Sequence, residues 1–265
     1  MRHAPTRIVI LTSDDKAFAL PVWRHTIEKL RRQYEVCGIV VVPERLGRHY
    51  GLSIPIWYAR TFGVLDSILL FLYAMKKKIM LLQSGVTTWE QLGKTFHIPV
   101  YHVDDPNSDE AVALISLLHA GVMFIMVGFI LKSPIIHSVS RGVINKHAAL
   151  LPSCRGLFPY FWATTHGVPL GMSFHVVTED IDAGQILVRK TLKGRYRSMV
   201  QFYHEVFRRF PDMAVDAVTR LIQRKYLSPL HAQPSSYFGL PKSDDAKKFR
   251  KKGGRVIVWK DLFLQ

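Results

Sequence analysis

Residues 7–42 read RIVILTSDDKAFALPVWRHTIEKLRRQYEVCGIVVV. Arg7 to Thr12 and Val36 to Val42 are short and rich in β-branched residues, the composition of strands. Between them, Phe18 to Gln33 sets apolar residues three and four apart, which predicts a helix. Strand, helix and strand in that order predict a βαβ unit, and the alternation continues down the chain. Trp57 to Met75 is a long apolar segment expected to be helical. It runs into Lys76-Lys77-Lys78, where cations would meet the negative end of the helix dipole; a basic membrane-surface site is the other reading of those lysines. Ile98 to Val103 reads as a strand. In Pro106-Asn107-Ser108-Asp109-Glu110, Asn107 is the expected N-cap, with Glu110 three residues on. That helix should reach about His119, followed by a strand from Val122 to Val127. The expected fold is α/β, an open and mostly parallel sheet, with ligands at the carboxyl ends of its strands.

Within this half, Ala111 to Leu131 contains no Asp, Glu, Lys or Arg, close to the ~20 residues of a membrane span. Gly121 and Gly128 divide it, so it reads instead as a buried helix, a turn at His119-Ala120-Gly121 and a buried strand; parallel strands covered on both faces are continuous apolar runs. Membrane contact is therefore not expected. The second half is organised differently. Gly142 to His147, Leu170 to Val177 and Gln185 to Leu192 read as strands, Pro159 to His166 as a short helix, and Ser198 to Tyr226 as a helix with a break or kink at Pro211. Beyond Tyr226 the chain reads as irregular, with a basic cluster at Lys247, Lys248, Arg250, Lys251, Lys252 and Arg255. The expected division is a domain over 1–226 and a basic C-terminal extension over 227–265.

Of 265 residues, 48% are hydrophobic and 21% charged, which excludes a largely disordered chain. Thirty-six basic against 20 acidic residues leave a formal charge of +16, which favours anionic partners and leaves RNA open. Two cysteines, Cys37 and Cys154, supply neither a disulfide framework nor zinc spacing. No metal is expected, and the apolar run Ile8 to Leu11 is too short for a secretory signal, so a cytoplasmic location is expected. The G-x-G-x-x-G, P-loop, H-E-x-x-H, G-x-S-x-G and C-x-x-C patterns are all missing.

One dense segment remains, Asn145 to Gly184. Asn145 and His147 are two apart, so on a strand they share a face. An amide can stabilise a developing oxyanion, an imidazole can move a proton, and a nearby Asp would favour its cationic form. Spacing alone does not say which Asp.

The run Asn145-Lys146-His147-Ala148-Ala149-Leu150-Leu151-Pro152-Ser153-Cys154-Arg155-Gly156, with Pro159 and Trp162-Ala163, resembles the formyltransferases that use 10-formyltetrahydrofolate. So do Gly171-Met172-Ser173-Phe174-His175-Val176-Val177 and Ile181-Asp182-Ala183-Gly184-Gln185-Ile186-Leu187, with Asp182 seven residues after His175. The resemblance implies a Rossmann-like domain with helices on both faces of the sheet. It implies Asn145, His147 and Asp182 as the catalytic trio. It implies a folate pocket lined by Val127, Gly128, Phe129, Ile130 and Leu131 together with Asp180, Ile181 and Gly184, read largely through backbone groups. Arg155, Gly156 and His175 would stand on the acceptor side. The implied co-substrate is 10-formyltetrahydrofolate, and the implied reaction is formyl transfer to a primary amine.

Lys146 replaces the usual apolar residue between Asn and His, Ala148-Ala149 replaces a small residue or Pro followed by Ser, and Met123 stands where many members have Asp. Lys146 is expected to point away from the site, either snorkelling or packed differently. An amino-sugar or another small amine is the expected acceptor, because the residues after Tyr226 are too few for the barrel domain of the tRNA enzymes. Methionyl-tRNA, hydrolysis to formate, and a catalytically silent anion-, RNA- or membrane-binding module are the alternatives. The sequence carries no reading of oligomeric state.

Overall fold

The computed structural model describes residues 5–228 and 235–264. The first half runs β1 (Arg7–Ser13), α1 (Ala19–Leu30), β2 (Glu35–Val42), the short pair β3 (Arg45–Leu46) and β4 (His49–Tyr50), α2 (Ser53–Phe62), α3 (Val64–Gln83), α4 (Trp89–Phe96), β5 (Val100–His102), α5 (Asp109–Leu117), β6 (Val122–Met126) and α6 (Ser133–Ile136). The second half runs β7 (Gly142–His147), β8 (Arg155–Gly156), α7 (Pro159–His166), β9 (Gly171–Val176), β10 (Ile186–Thr191), α8 (Met199–Ile222), β11 (Tyr237–Phe238), α9 (Ser243–Lys251) and a 3-10 turn at Trp259–Phe263.

Seven strands form the main sheet in the order β10-β9-β7-β6-β1-β2-β5. The strands from β5 across to β7 are parallel; β9 pairs antiparallel with both β7 and β10. The order reverses at β1, which lies between β2 and β6. Such a reversal opens a crevice at the carboxyl ends of the strands.

Alternate residues serve two cores. Ile8, Ile10, Phe124, Ile144 and Phe174 face the layer of α1 and α8, while Val9, Leu11, Met123, Ile125 and Val143 face α5 and α6. Covering both faces is why β1, β2 and β6 are uninterrupted apolar runs. In the first layer Trp23 packs edge-on against Phe124 and Phe210, both at 5.4 Å, and its indole N–H donates to Thr12 Oγ1 at 3.0 Å.

Four expectations change. The apolar segment around residues 57–75 is two helices, separated at Gly63, whose φ of 91° suits glycine. Lys76, Lys77 and Lys78 lie inside α3, because the apolar pattern continues through Leu81 and Leu82 to Gln83. The N-cap of α5 is Ser108, whose hydroxyl accepts from Ala111 N–H at 3.2 Å. Asn107 is drawn elsewhere: its amide donates to Ile130 O at 3.1 Å and accepts from Lys132 N–H at 2.7 Å. Finally, α8 runs unbroken through Pro211, since Phe210, Pro211, Met213 and Ala214 are all buried. That burial offsets the ~3 kcal/mol an interior proline costs a helix.

Residues 235–264 are not irregular. β11 pairs with β8. Phe249 of α9 stacks on Phe161 with ring centroids 4.5 Å apart, and Arg250 bonds Asp66 at 2.8 Å.

Candidate active site

The antiparallel register of β7 and β9 sets Asn145 opposite His175 and His147 opposite Ser173. Residues directly opposite share a face, so Asn145, His147 and His175 project on the same side of the sheet. The Ser173 hydroxyl accepts from Leu151 N–H at 3.1 Å and donates to Ala149 O at 2.8 Å, fixing the loop after β7. That loop contains a cis Leu151–Pro152 bond, and Cys154 and Phe158 take positive φ. Gly156 has φ 92°, and a Cβ there would lie 2.2 Å from Phe238 O. Only glycine lets β8 and β11 approach this closely.

Asp182 enters from the loop between β9 and β10 with φ 50°. Its carboxylate accepts from Gly156 N–H at 2.8 Å. The same Oδ2 lies 3.4 Å from His147 Nδ1, and Oδ1 lies 3.3 Å from His175 Nε2. The far nitrogen of each imidazole is already committed: His147 Nε2 to Cys154 O at 2.7 Å, and His175 Nδ1 to Val176 O at 2.9 Å. A carbonyl only accepts, so those far nitrogens carry the protons of the neutral tautomers. The nitrogens facing Asp182 are then the ones that gain a proton. Each proton gained turns a contact into a charge-assisted hydrogen bond.

Burial opposes ionisation of Asp182, but His147, His175 and Gly156 N–H outweigh it and hold the carboxyl well below the usual carboxylate range. Burial pulls the His147 imidazole below the ordinary histidine value, and the Asp182 charge works against that pull. The three groups form one coupled, water-poor unit.

The trio expected from the sequence is thus brought to one place: Asn145 on the shared strand face, His147 and Asp182 in contact. His175, read as an acceptor-side group, is 1% exposed and set against Asp182. Gly156 touches Asp182 through its backbone. Arg155 lies on β8 with Nε buried and without a hydrogen-bond partner among the described residues. Val127, Gly128, Phe129, Ile130 and Leu131 follow β6, the strand beside β7. Asp180, Ile181 and Gly184 lie in the Asp182 loop, with Asp180 exposed. A Cβ on Gly128 would stand 1.9 Å from Arg45 O, and one on Gly184 1.9 Å from Val176 O, so both segments lie backbone against backbone.

Lys146 takes the opposite face, as expected. It packs against α8, with Nζ 6.0 Å from the Tyr203 ring centroid and 5.2 Å from that of Phe207. Burial pulls its ammonium down to about 8, with Asp182 opposing. It belongs to the wall of a cavity of about 1210 Å³ between α1, α3 and α8, which His147, Ala148 and Gly156 also line. Sequence reading missed Tyr58, Tyr203 and Phe207 around this cavity. Tyr203 and Phe207 sit four apart on α8 and read as ordinary core.

A formyl transferase family model matches residues 93–195. A methionyl-tRNA formyltransferase from Chlorobium limicola is 31% identical over 97 residues, 36% of this chain and 30% of that protein. The chain spans 30% to 49% of the length of the curated relatives it matches first. Among solved structures, glycinamide ribonucleotide transformylase 1 from Symbiobacterium toebii superposes with a TM-score of 0.58 at 16% identity, over 87% of this chain and 93% of that one. A sugar N-formyltransferase from a Shewanella species gives 0.54 at 18% identity, over 88% and 77%. The stretch that holds Asn145, His147, His175 and Asp182 lies within the residues matched by the formyl transferase model, in a fold similar to that of these solved structures.

Proposed function

We propose that the protein transfers a formyl group from 10-formyltetrahydrofolate to a primary amine. The observation that carries this reading is the Asp182 carboxylate, gripped by His147, His175 and Gly156 N–H beside Asn145 on the same strand face. The amine nitrogen forms a bond to the formyl carbon, and the carbonyl oxygen takes negative charge. Asn145 donates to that oxygen. His147 Nδ1 holds the proton shed by the amine, Asp182 stabilises the resulting cation, and the proton passes through water to N10 as the bond from N10 to the formyl carbon breaks. No covalent intermediate is required, and Cys154 stays a thiol, pushed up to about 11 by burial.

The segments Val127–Leu131 and Asp180–Gly184 suit the pterin. They leave strands on either side of β7, and Gly128 and Gly184 bring them in without side chains. Asn107 ties the first of them down through Ile130 and Lys132. The test is tetrahydrofolate release from 10-formyltetrahydrofolate, with and without a panel of primary amines. Amine-dependent release with a formylated product supports the reading. Equal release without amine would replace it with hydrolysis, and absence of folate binding would overturn it.

A further inference from the structure

Helix α3 shows two faces to two different environments. Inward, Tyr73 and Leu81 are buried, and Leu262 and Leu264 pack beside Tyr73. Outward, Leu65, Ile68, Leu72, Met75, Ile79 and Leu82 recur at intervals of three and four, 39% to 80% exposed. Of the 17 exposed large hydrophobic residues among the described residues, 11 lie between Tyr50 and Leu82, so this is a patch and not scatter. Beside the stripe Lys78 is exposed, while the half-buried Lys76 donates to Leu264 O. No helix among the described residues is long and apolar enough to cross a membrane.

A stripe of this spacing could in principle meet a second copy of itself, but that would bring together two molecules that each carry +16. An anionic lipid surface meets both features at once: apolar side chains enter the headgroup boundary while the exposed Lys78 reaches the phosphates. The cavity gives this face a purpose. Phe71, Ala74, Lys77 and Met80 of the same helix line it, and so does His147. At about 1210 Å³ it exceeds the ~300–1,000 Å³ usual for drug-sized ligands, and its wall is mostly aliphatic and aromatic.

We propose that the outer face of α3, with the end of α2, seats the protein on an anionic bilayer, and that the cavity beneath it takes the apolar chain of a membrane-borne primary amine. The second half rests on the proposed formyl transfer and names its acceptor class. The covalent step is unchanged: a C–N bond forms on the lipid amine, one breaks at N10 of the folate, and the amine proton goes to N10. This proposal departs from the sequence-based expectation of no membrane contact and takes the alternative reading of Lys76-Lys77-Lys78.

Flotation tests the docking half. The wild-type protein should float with vesicles of phosphatidylcholine and phosphatidylserine, stay behind with phosphatidylcholine alone, and be released by salt. Leu72→Asp with Ile79→Asp, both exposed positions, should abolish flotation, and Lys78→Glu should weaken it. Wild-type protein that ignores anionic vesicles, or an aspartate variant that floats equally, would overturn docking. So would a wild-type dimer in solution that the aspartate pair turns into monomers, because the stripe would then belong to a second copy. Tetrahydrofolate release tests the acceptor half, with hexadecylamine in the anionic vesicles against propylamine in solution. The long chain should be favoured in kcat/KM by about tenfold or more, since each buried methylene contributes. Ala74→Trp, which fills the cavity, should erase that preference. Equal rates for the two amines would overturn the acceptor class. Loss of folate binding in the wild type would overturn formyl transfer and with it this half, while flotation decides docking independently.

Discussion

Asp182 and Leu72 stand at opposite extremes of this molecule. Both Asp182 oxygens have named partners, and the residue is held by groups on β7, β8 and β9. Leu72 belongs to an outward row on α3 and is 45% exposed. At the end of β7 the fold removes freedom, so that a proton has few places to go. On α3 it leaves apolar surface bare, which is unfavourable in water unless something covers it. One region is built for chemistry within the chain, the other for contact beyond it.

The contrast can be broken first at His147. His147→Ala should lower turnover by roughly 10²–10⁴ while leaving folate binding in place, because a general acid–base group is worth about that much and the folate segments present backbone. Single-turnover rates alongside a folate titration measure both. Asn145→Ala should cost roughly 10²–10³ in kcat, the loss of one oxyanion donor, with little change in thermal stability because the side chain is only half-buried.

Two further substitutions sharpen the comparison through stability. Burial pulls Lys146 down to about 8, so below that pH the folded state carries a cation it holds poorly. The unfolded chain binds the proton more tightly, and the penalty fades as pH rises through the folded value. Lys146→Met should stabilise the protein at neutral pH by about 1–3 kcal/mol, less whatever the contacts with Tyr203 and Phe207 contribute; the gain should shrink as pH rises above about 8 and vanish above the ordinary lysine value. Chemical denaturation across pH checks it. Asp15, at the cavity wall, is pushed up to about 6 by burial, against the Phe18 N–H and with help from Glu44. A raised carboxyl contributes stability that is full below its unfolded value and lost as pH climbs through its folded one. Asp15→Asn should therefore be more stable than wild type by about 1–2 kcal/mol near pH 8 and no different near pH 3. A pH-independent difference would place the effect in packing instead of charge.

The fold and the shared strand face of Asn145 and His147 were legible for the same reason: strict periods; Asp182 came from the resemblance and not from spacing. Arg7–Ser13 and Glu35–Val42 sit where β-branched runs put them, and the two-residue step from Asn145 to His147 survives as one strand face. What escaped was decided by competition between distant groups. Asn107 looks like an N-cap until Ile130 and Lys132 claim its amide, leaving Ser108 to cap α5. Pro211 looks like a break until the packing of α8 outweighs it. Lys76 to Lys78 look like a helix end until the next turn continues apolar. His175 was placed on the acceptor side because a motif carries no depth, whereas the register buries it against Asp182. The cavity had no sequence signal, since Tyr58, Tyr203 and Phe207 lie on three-and-four patterns that serve a filled core equally well.

The account stands most directly on His147 and Asp182 acting as one unit on one proton, and a double-mutant cycle in single-turnover formyl transfer measures that. Asp182→Asn alone should slow transfer by roughly 10²–10⁴. Added to His147→Ala it should slow it hardly further, because groups that act together are not additive. Two effects that simply multiply, or an Asp182→Asn protein that melts earlier yet keeps wild-type kcat, would contradict the pairing and leave Asp182 as a clamp on its loop.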